Sequence, residues 1–262
     1  MDWLLNIPVF PMTAVVLLFT WVVTAIVYVI VTRLAVGDRL RAFKAISPGM
    51  LPPLAVVFAL LVGFLAAQVW SDFDRANTLV NREASGIRAA MLLADEFPSE
   101  VKQRFHALAR EHIQAAVRDE WPAMARQDAT LTLIPNALAQ MLKLALNLEP
   151  ATPGQTLAQR ELVTTIQNVF EARRQRILLS EATVNAVKWG ALLAQVVLML
   201  IAIAMVHCDN PAANRIILTI FATGAAASLI LIAAYSHPFS GAVSVHPDLL
   251  EQVMPEADGA RP

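Results

Sequence analysis

Glu83 occupies a position where a helix should carry an apolar side chain. Apolar residues recur at Val69, Phe73, Ala76, Val80, Ile87, Met91 and Ala94, a spacing of three and four that marks one helical face, and Glu83 falls inside that stripe. Arg173 sits in a similar position, between Phe170 and Ile177 on the apolar side of a helix beginning near Leu157. A carboxylate and a guanidinium placed this way can do one of two things. They can form a buried ion pair, Glu83 with Arg173, that fixes helix register. Or they can line an aqueous vestibule, where Arg173 or Arg176 would attract anions.

Little else in the chain suggests bond-making chemistry. The five histidines, His106, His112, His207, His237 and His246, never fall two to a helical turn, and no acidic or cysteine cluster completes a metal site. Cys208 is the single cysteine, so no internal disulfide can form. Glycine-rich nucleotide loops, the serine nucleophile elbow and the zinc-binding HExxH pattern are all absent. The expectation is a protein that is not an enzyme and that uses no cofactor and no metal. A second pattern concerns permeation instead: Val56, Leu60 and Phe64 stand at successive four-residue intervals beside Gly63. Such a row either meets lipid or a neighbouring helix, or forms an apolar constriction that gates by dewetting.

These residues must be held by membrane helices. Of 262 residues 57% are hydrophobic and only 16% charged, and the mean hydropathy is +0.55, which marks an integral membrane protein. Four segments are long and apolar enough to cross a ~30 Å hydrocarbon core: Met12 to Ala35, Met50 to Trp70, Val187 to Cys208 and Ala213 to Tyr235. Short connections, VGDRLRAFKAISPG and DNPA, group them as two hairpins. The N-terminal run MDWLLNIPVFP lacks Lys and Arg and no cleavage site follows, so the first span is expected to remain as an anchor. The boundaries are therefore 1–70 for a first transmembrane hairpin, 71–186 for a helical stalk, 187–235 for a second hairpin and 236–262 for a C-terminal tail whose acidic run EQVMPEADGARP is expected to be disordered at its end.

The segment from Ser71 to Ala186 holds 13 Lys and Arg against 14 Asp and Glu. That balance leaves no basic surface to neutralise phosphates, which disfavours nucleic acid as a partner. Its pattern is helical. Pro98 and Ser99 open a helix burying Val101, Phe105, Leu108, His112 and Ala116, which is expected to stop near EWP because Pro122 has no amide to donate. The second and third spans are each expected to run on into this segment as one long helix of about 40 residues, or ~60 Å. The spans contain almost no ionisable residues, which argues against a coupled transporter.

The runs GFLAAQVWSDFDRANTLVNREA, RDEWPAM, EARRQRI and HPFSGAVSVHPDLL, in that order, resemble the bacterial bestrophin-like domain family of four-span membrane proteins, over about Pro48 to Val253. Glu120, Trp121, Pro122, Pro238, Phe239 and Gly241 belong to the shared motifs. Taken alone, Trp121 reads as a packing anchor, while Phe239 is expected at the membrane boundary with Pro238 and Gly241 forcing a turn.

The resemblance extends more distantly to the bestrophin anion channels. It implies a homo-oligomer, a pentamer, whose partners are membrane lipid and small anions. VVFALLVGF is similar to the neck helix of those channels, which would make Val56, Leu60 and Phe64 the pore neck. No acidic cluster matches the calcium clasp of the animal channels, so calcium gating is not expected. The sequence reading is thus an all-α, four-span protein of a bacterial inner membrane with a cytoplasmic stalk, acting as a passive anion-preferring channel. The alternative is a non-conducting scaffold or sensor whose stalk binds a partner or ligand.

Overall fold

The computed structural model describes residues 9–131, 135–182, 184–241 and 243–256. The first eight residues and the end of the tail, on which expectations about the anchor and disorder were placed, lie outside that set. Every regular element among the described residues is helical: α1 (Val9–Leu34), α2 (Asp38–Lys44), a 3₁₀ turn (Pro48–Met50), α3 (Leu51–Ala94), α4 (Ser99–Ala115), a π-helical turn (Ala116–Glu120), α5 (Trp121–Ala125), α6 (Asn136–Leu146), α7 (Pro153–Ser180), α8 (Ala186–Val206), α9 (Pro211–Tyr235) and α10 (Asp248–Gln252). Four helices are long and apolar enough to cross a membrane, and they include α1, α8, α9 and the first part of α3.

Local chemistry sets these boundaries. The loop after α1 turns at Gly37, whose φ of 58° is a backbone conformation that glycine adopts without a Cβ clash. Pro52 and Pro53 lie in the first turn of α3, where a missing amide costs nothing. Asn210 caps α9 by accepting a hydrogen bond from Ala213 N at 3.1 Å, with Pro211 as the first helical residue.

The chain divides into two compact units. The first comprises residues 1–71, 183–237 and 241–243. In it α9 packs against α1 and α8, and α1 against α8. The interior is built from Val27 and Val31 of α1, Leu192, Val196 and Leu200 of α8, and Leu218, Ala222, Ala225, Ala226 and Leu229 of α9. Alanines on α9 let helix backbones approach closely, which in lipid replaces the hydrophobic effect as a source of association. Thr20 and Thr24 are buried and satisfy their hydroxyls on the carbonyls of Val16 and Thr20, at 2.7 Å each.

The second unit comprises residues 72–182, 238–240 and 244–262. The later part of α3 packs Leu79, Val80 and Ile87 with Phe105, Leu108 and Ile113 of α4, Leu138 and Met141 of α6, and Leu162 and Ile166 of α7. α3 and α7 meet closely at Gly86, where an added Cβ would lie 2.6 Å from Val169 Cγ2. A β-branched valine cannot swing aside, so Gly86→Ala should overpack the contact by about 1–3 kcal/mol. That outweighs the ~1 kcal/mol gained in helix propensity. Thermal unfolding in mild detergent should show Gly86→Ala less stable than the natural chain, and Gly86→Ala with Val169→Ala more stable than Gly86→Ala alone.

One long helix agrees with the sequence reading and two helix boundaries differ from it. The helix containing the second span is one unbroken element of 44 residues, about 66 Å long at ~1.5 Å per residue. The helix before the third span is not continuous with it: α7 ends at Ser180 and α8 begins at Ala186. Asn185 is extended, with ψ of 144°, and its side chain accepts from Val187 N at 2.9 Å, so it starts a new helix. The expected stop at EWP does not occur either. The bond from Trp121 N to Ala116 O closes a wide π turn, and Pro122 then falls in the first turn of α5, where it needs no amide.

Candidate functional site

The apolar part of α3 ends at Trp70, before the first charges at Asp72 and Asp74. Glu83 lies 13 residues further on, about 20 Å along the axis at ~1.5 Å per residue and outside the spanning segment. It is fully buried in the second unit, 0% exposed, as is Arg176 of α7. The Arg176 guanidinium engages Glu83 in bidentate fashion, with Nε donating to Oε2 at 2.7 Å and Nη2 to Oε1 at 3.1 Å. Nη2 also donates to Glu120 Oε2 at 2.7 Å, and Nη1 approaches Met124 Sδ at 3.3 Å. Arg173 Nε donates to the other Glu120 oxygen at 2.7 Å. His112 Nε2 stands 3.0 Å from Glu83 Oε1.

The expected pairing of Glu83 with Arg173 is therefore corrected. Glu83 pairs with Arg176, and Arg173 joins only through Glu120. The reason is the buried stripe of α7, which runs Leu162, Ile166, Val169, Arg173, Arg176 and Ser180, so both arginines face inward one turn apart. Glu120 reaches them because the π turn carries it over α7. Arg176 gives Nε and Nη2 to carboxylates and Arg173 gives Nε, so both arginines belong to a paired cluster.

Two carboxylates and two guanidiniums leave this network without net charge. Burial works against the charged form of Glu83, but the charge of Arg176 and the hydrogen bonds from His112 and Arg176 outweigh it and hold the carboxyl at about 2. Burial likewise opposes the charge on Arg176, and Glu83 followed by Glu120 raises its pKa in spite of that. The sign for stability follows. The folded value of Glu83 is below its ordinary 4.5, so its stabilising contribution is complete above that pH and is lost as pH falls toward 2. Thermal midpoints should drop across this window, and the drop should be shallower in the Glu83→Gln, Arg176→Met double variant. Glu171, held at about 2 by hydrogen bonds from Arg174 and Gln175 on an exposed surface, is present in both proteins and does not enter the difference.

The motif residues converge on the same place. Arg176 lies over the Trp121 ring, 4.6 Å from its centroid. Trp121 Nε1 donates to Val245 O at 3.1 Å. Phe239 meets Trp121 edge-on, with centroids 5.9 Å apart at 86°. Val245 N donates to Pro238 O at 2.8 Å, closing a loop in which Gly241 has φ of 86°. Phe239 is thus buried in the helical unit, where Trp121 offers it an aromatic partner. Sequence reasoning had His112 only as a buried position and Glu120 only as a motif residue. The signal for both is that a buried Glu83 facing two inward arginines leaves one cation without a partner.

The row Val56, Leu60 and Phe64 on α3 is 57%, 54% and 72% exposed. Adjacent positions on the other side, Leu65, Ala66 and Val69, are buried in the first unit. An apolar helix with one uncovered face and a paired, charge-neutral cluster further along it thus form the two features available for function.

Together these elements define an all-helical membrane protein with four apolar helices and a charge-rich helical unit. The chain belongs to the bestrophin-like domain family, whose profile matches residues 18–250. No curated protein matches it. Among solved structures, a point variant of a bacterial bestrophin homologue from Klebsiella pneumoniae superposes with a TM-score of 0.68 at 12% identity, covering 92% of this chain and 97% of that one. Another variant of that homologue gives 0.62 at 13% identity, covering 91% and 94%. A crystal structure described only as a membrane protein gives 0.67 at 12% identity, covering 92% and 96%.

Proposed function

We propose that the protein is a passive ion channel that prefers anions and assembles as a homo-oligomer, a pentamer, in the bacterial inner membrane with its helical unit on the cytoplasmic side. The observation that carries this reading is the uncovered row Val56, Leu60 and Phe64. The chain's own helices leave it open, and the apolar window on that helix is the least buried of the four. In a ring of copies the row would face the axis as a stack of apolar constrictions, which conduct only when wetted. Family membership supports the same reading. The buried network serves as a strut in it, holding α7 against the helix that carries the neck.

The test is chloride efflux from liposomes reconstituted with the purified full chain, with oligomeric state measured in mild detergent. The expected result is electrogenic chloride efflux from a stable oligomer, faster than potassium efflux. No flux from intact, inserted oligomers would overturn the proposal and favour the non-conducting scaffold. A stable monomer would also overturn it, since four helices alone do not enclose an aqueous path.

A further inference from the structure

In the first unit, α1 and α9 leave a cleft of about 350 Å³ whose lining includes Trp21, Ala25 and Tyr28 of α1 and Arg215, Leu218 and Thr219 of α9. Trp21 Nε1 donates to Thr223 Oγ1 at 3.4 Å, while Tyr28 shares the cleft with Arg215, so the two helices run antiparallel. The Arg215 end of the cleft is therefore the end where α1 finishes and α9 begins. A second, shallower trough on α9 is lined by Ala212, Ile216 and Ile220 together with the same Arg215 and Thr219. Arg215 thus stands between two apolar troughs.

The chemistry of the occupant follows from depth and charge. Arg215 is the fifth residue of α9, ~6 Å from its start at ~1.5 Å per residue, in a helix apolar enough to cross a membrane. Its Nε donates to Pro211 O at 3.2 Å, which turns the guanidinium toward the helix start. That leaves Nη1 and Nη2 without a carboxylate among the described residues, and no Asp or Glu lines either trough. The Tyr28 hydroxyl, at the same end, also has no hydrogen-bond partner among the described residues. In hydrocarbon such donors are costly unless an acceptor reaches them. Water or an inorganic anion would satisfy the donors and leave the apolar troughs empty. A diacyl phospholipid satisfies both, with its phosphate accepting from Arg215 and Tyr28 and one chain in each trough. A net negative headgroup is favoured over a zwitterionic one, because this end of the unit also carries Arg33 at the close of α1 and Arg39 and Arg41 on α2 against Asp38 and Asp209.

We propose that an anionic phospholipid sits astride Arg215 on this face, its headgroup held by Arg215 and Tyr28 and its tails in the two troughs. The proposal stands whether or not the protein conducts, and in either leaflet. It can be tested by native mass spectrometry of the full chain in a nonionic detergent, with phosphatidylglycerol and phosphatidylcholine of identical acyl chains as probes and inorganic phosphate as competitor. Phosphatidylglycerol should bind more tightly than phosphatidylcholine, and millimolar phosphate should not displace it. Arg215→Gln should weaken phosphatidylglycerol binding at least about tenfold, the worth of one hydrogen bond to a charged group. Tyr28→Phe should weaken it less, and Arg39→Gln, exposed and outside both troughs, should leave it unchanged. Arg215 is exposed, so an unchanged melting temperature should accompany its loss and show the effect to be local. Equal binding of the two lipids, as when a neighbouring copy covers this face, would overturn the proposal. So would an affinity that survives Arg215→Gln, one that falls as far in Arg39→Gln, or displacement of the lipid by inorganic phosphate.

Discussion

Arg176→Met should be the most destabilising single substitution in the helical unit, costing about 3–5 kcal/mol, because it removes the cation from a fully buried carboxylate. Glu83 would keep only His112, and Glu120 only Arg173. In a chain of this size such a loss lowers the thermal midpoint by about 10 °C. Adding Glu83→Gln should restore part of it. The double variant removes one positive and one negative charge, leaves Glu120 paired with Arg173 at 2.7 Å, and keeps an amide that can still accept from His112. The ordering to be measured by thermal unfolding in detergent is natural chain above double variant above Arg176→Met. If the double variant were as unstable as Arg176→Met, the cost would come from lost packing on Trp121 and Met124 rather than from an unpaired charge. The network would then have no role as an ion pair. Arg176→Lys should rescue poorly, since an ammonium cannot engage Glu83 bidentately, reach Glu120 and stack on an indole at once.

How much of this was legible in the sequence depends on which residue is asked. The long helix could be read because the second span meets no proline between Pro53 and Pro98, and Glu83 announced itself by interrupting an apolar stripe. Its partner could not be read, because Arg173 and Arg176 are one turn apart and both lie on the buried face of α7. Only the register of the packed helices selects between them. The break before the third span was hidden in Asn185, which as a letter is tolerable inside a helix and only in three dimensions turns outward to cap the next one. The π turn was hidden in the same way. Nothing in AVRDEWP states that the helix will widen before Pro122, yet the widening lets Glu120 reach two arginines and Trp121 lie beneath one of them. The motif residues could be found by resemblance, but their convergence on Arg176 could not, since Val245 and Phe239 are more than 100 residues from Trp121 along the chain.

Changing Val56, Leu60 and Phe64 together to Ala should raise chloride efflux from reconstituted liposomes at least about tenfold, equivalent to removing ~1.4 kcal/mol from the barrier to permeation. The reasoning is physical. A narrow apolar ring resists wetting because water inside it loses hydrogen bonds without gaining any, and shortening each side chain widens the ring while removing apolar surface. The three positions are exposed on one chain, so their truncation removes little packing within the fold and should leave the melting temperature near that of the natural chain. That combination separates a neck from a packed helix face. If the row instead packed against a neighbouring helix in the assembly, the same substitutions would loosen the oligomer and lower its melting temperature while leaving flux unchanged. If it met lipid, neither quantity would move. Higher flux at unchanged stability is the outcome that requires the row to line a conducting path.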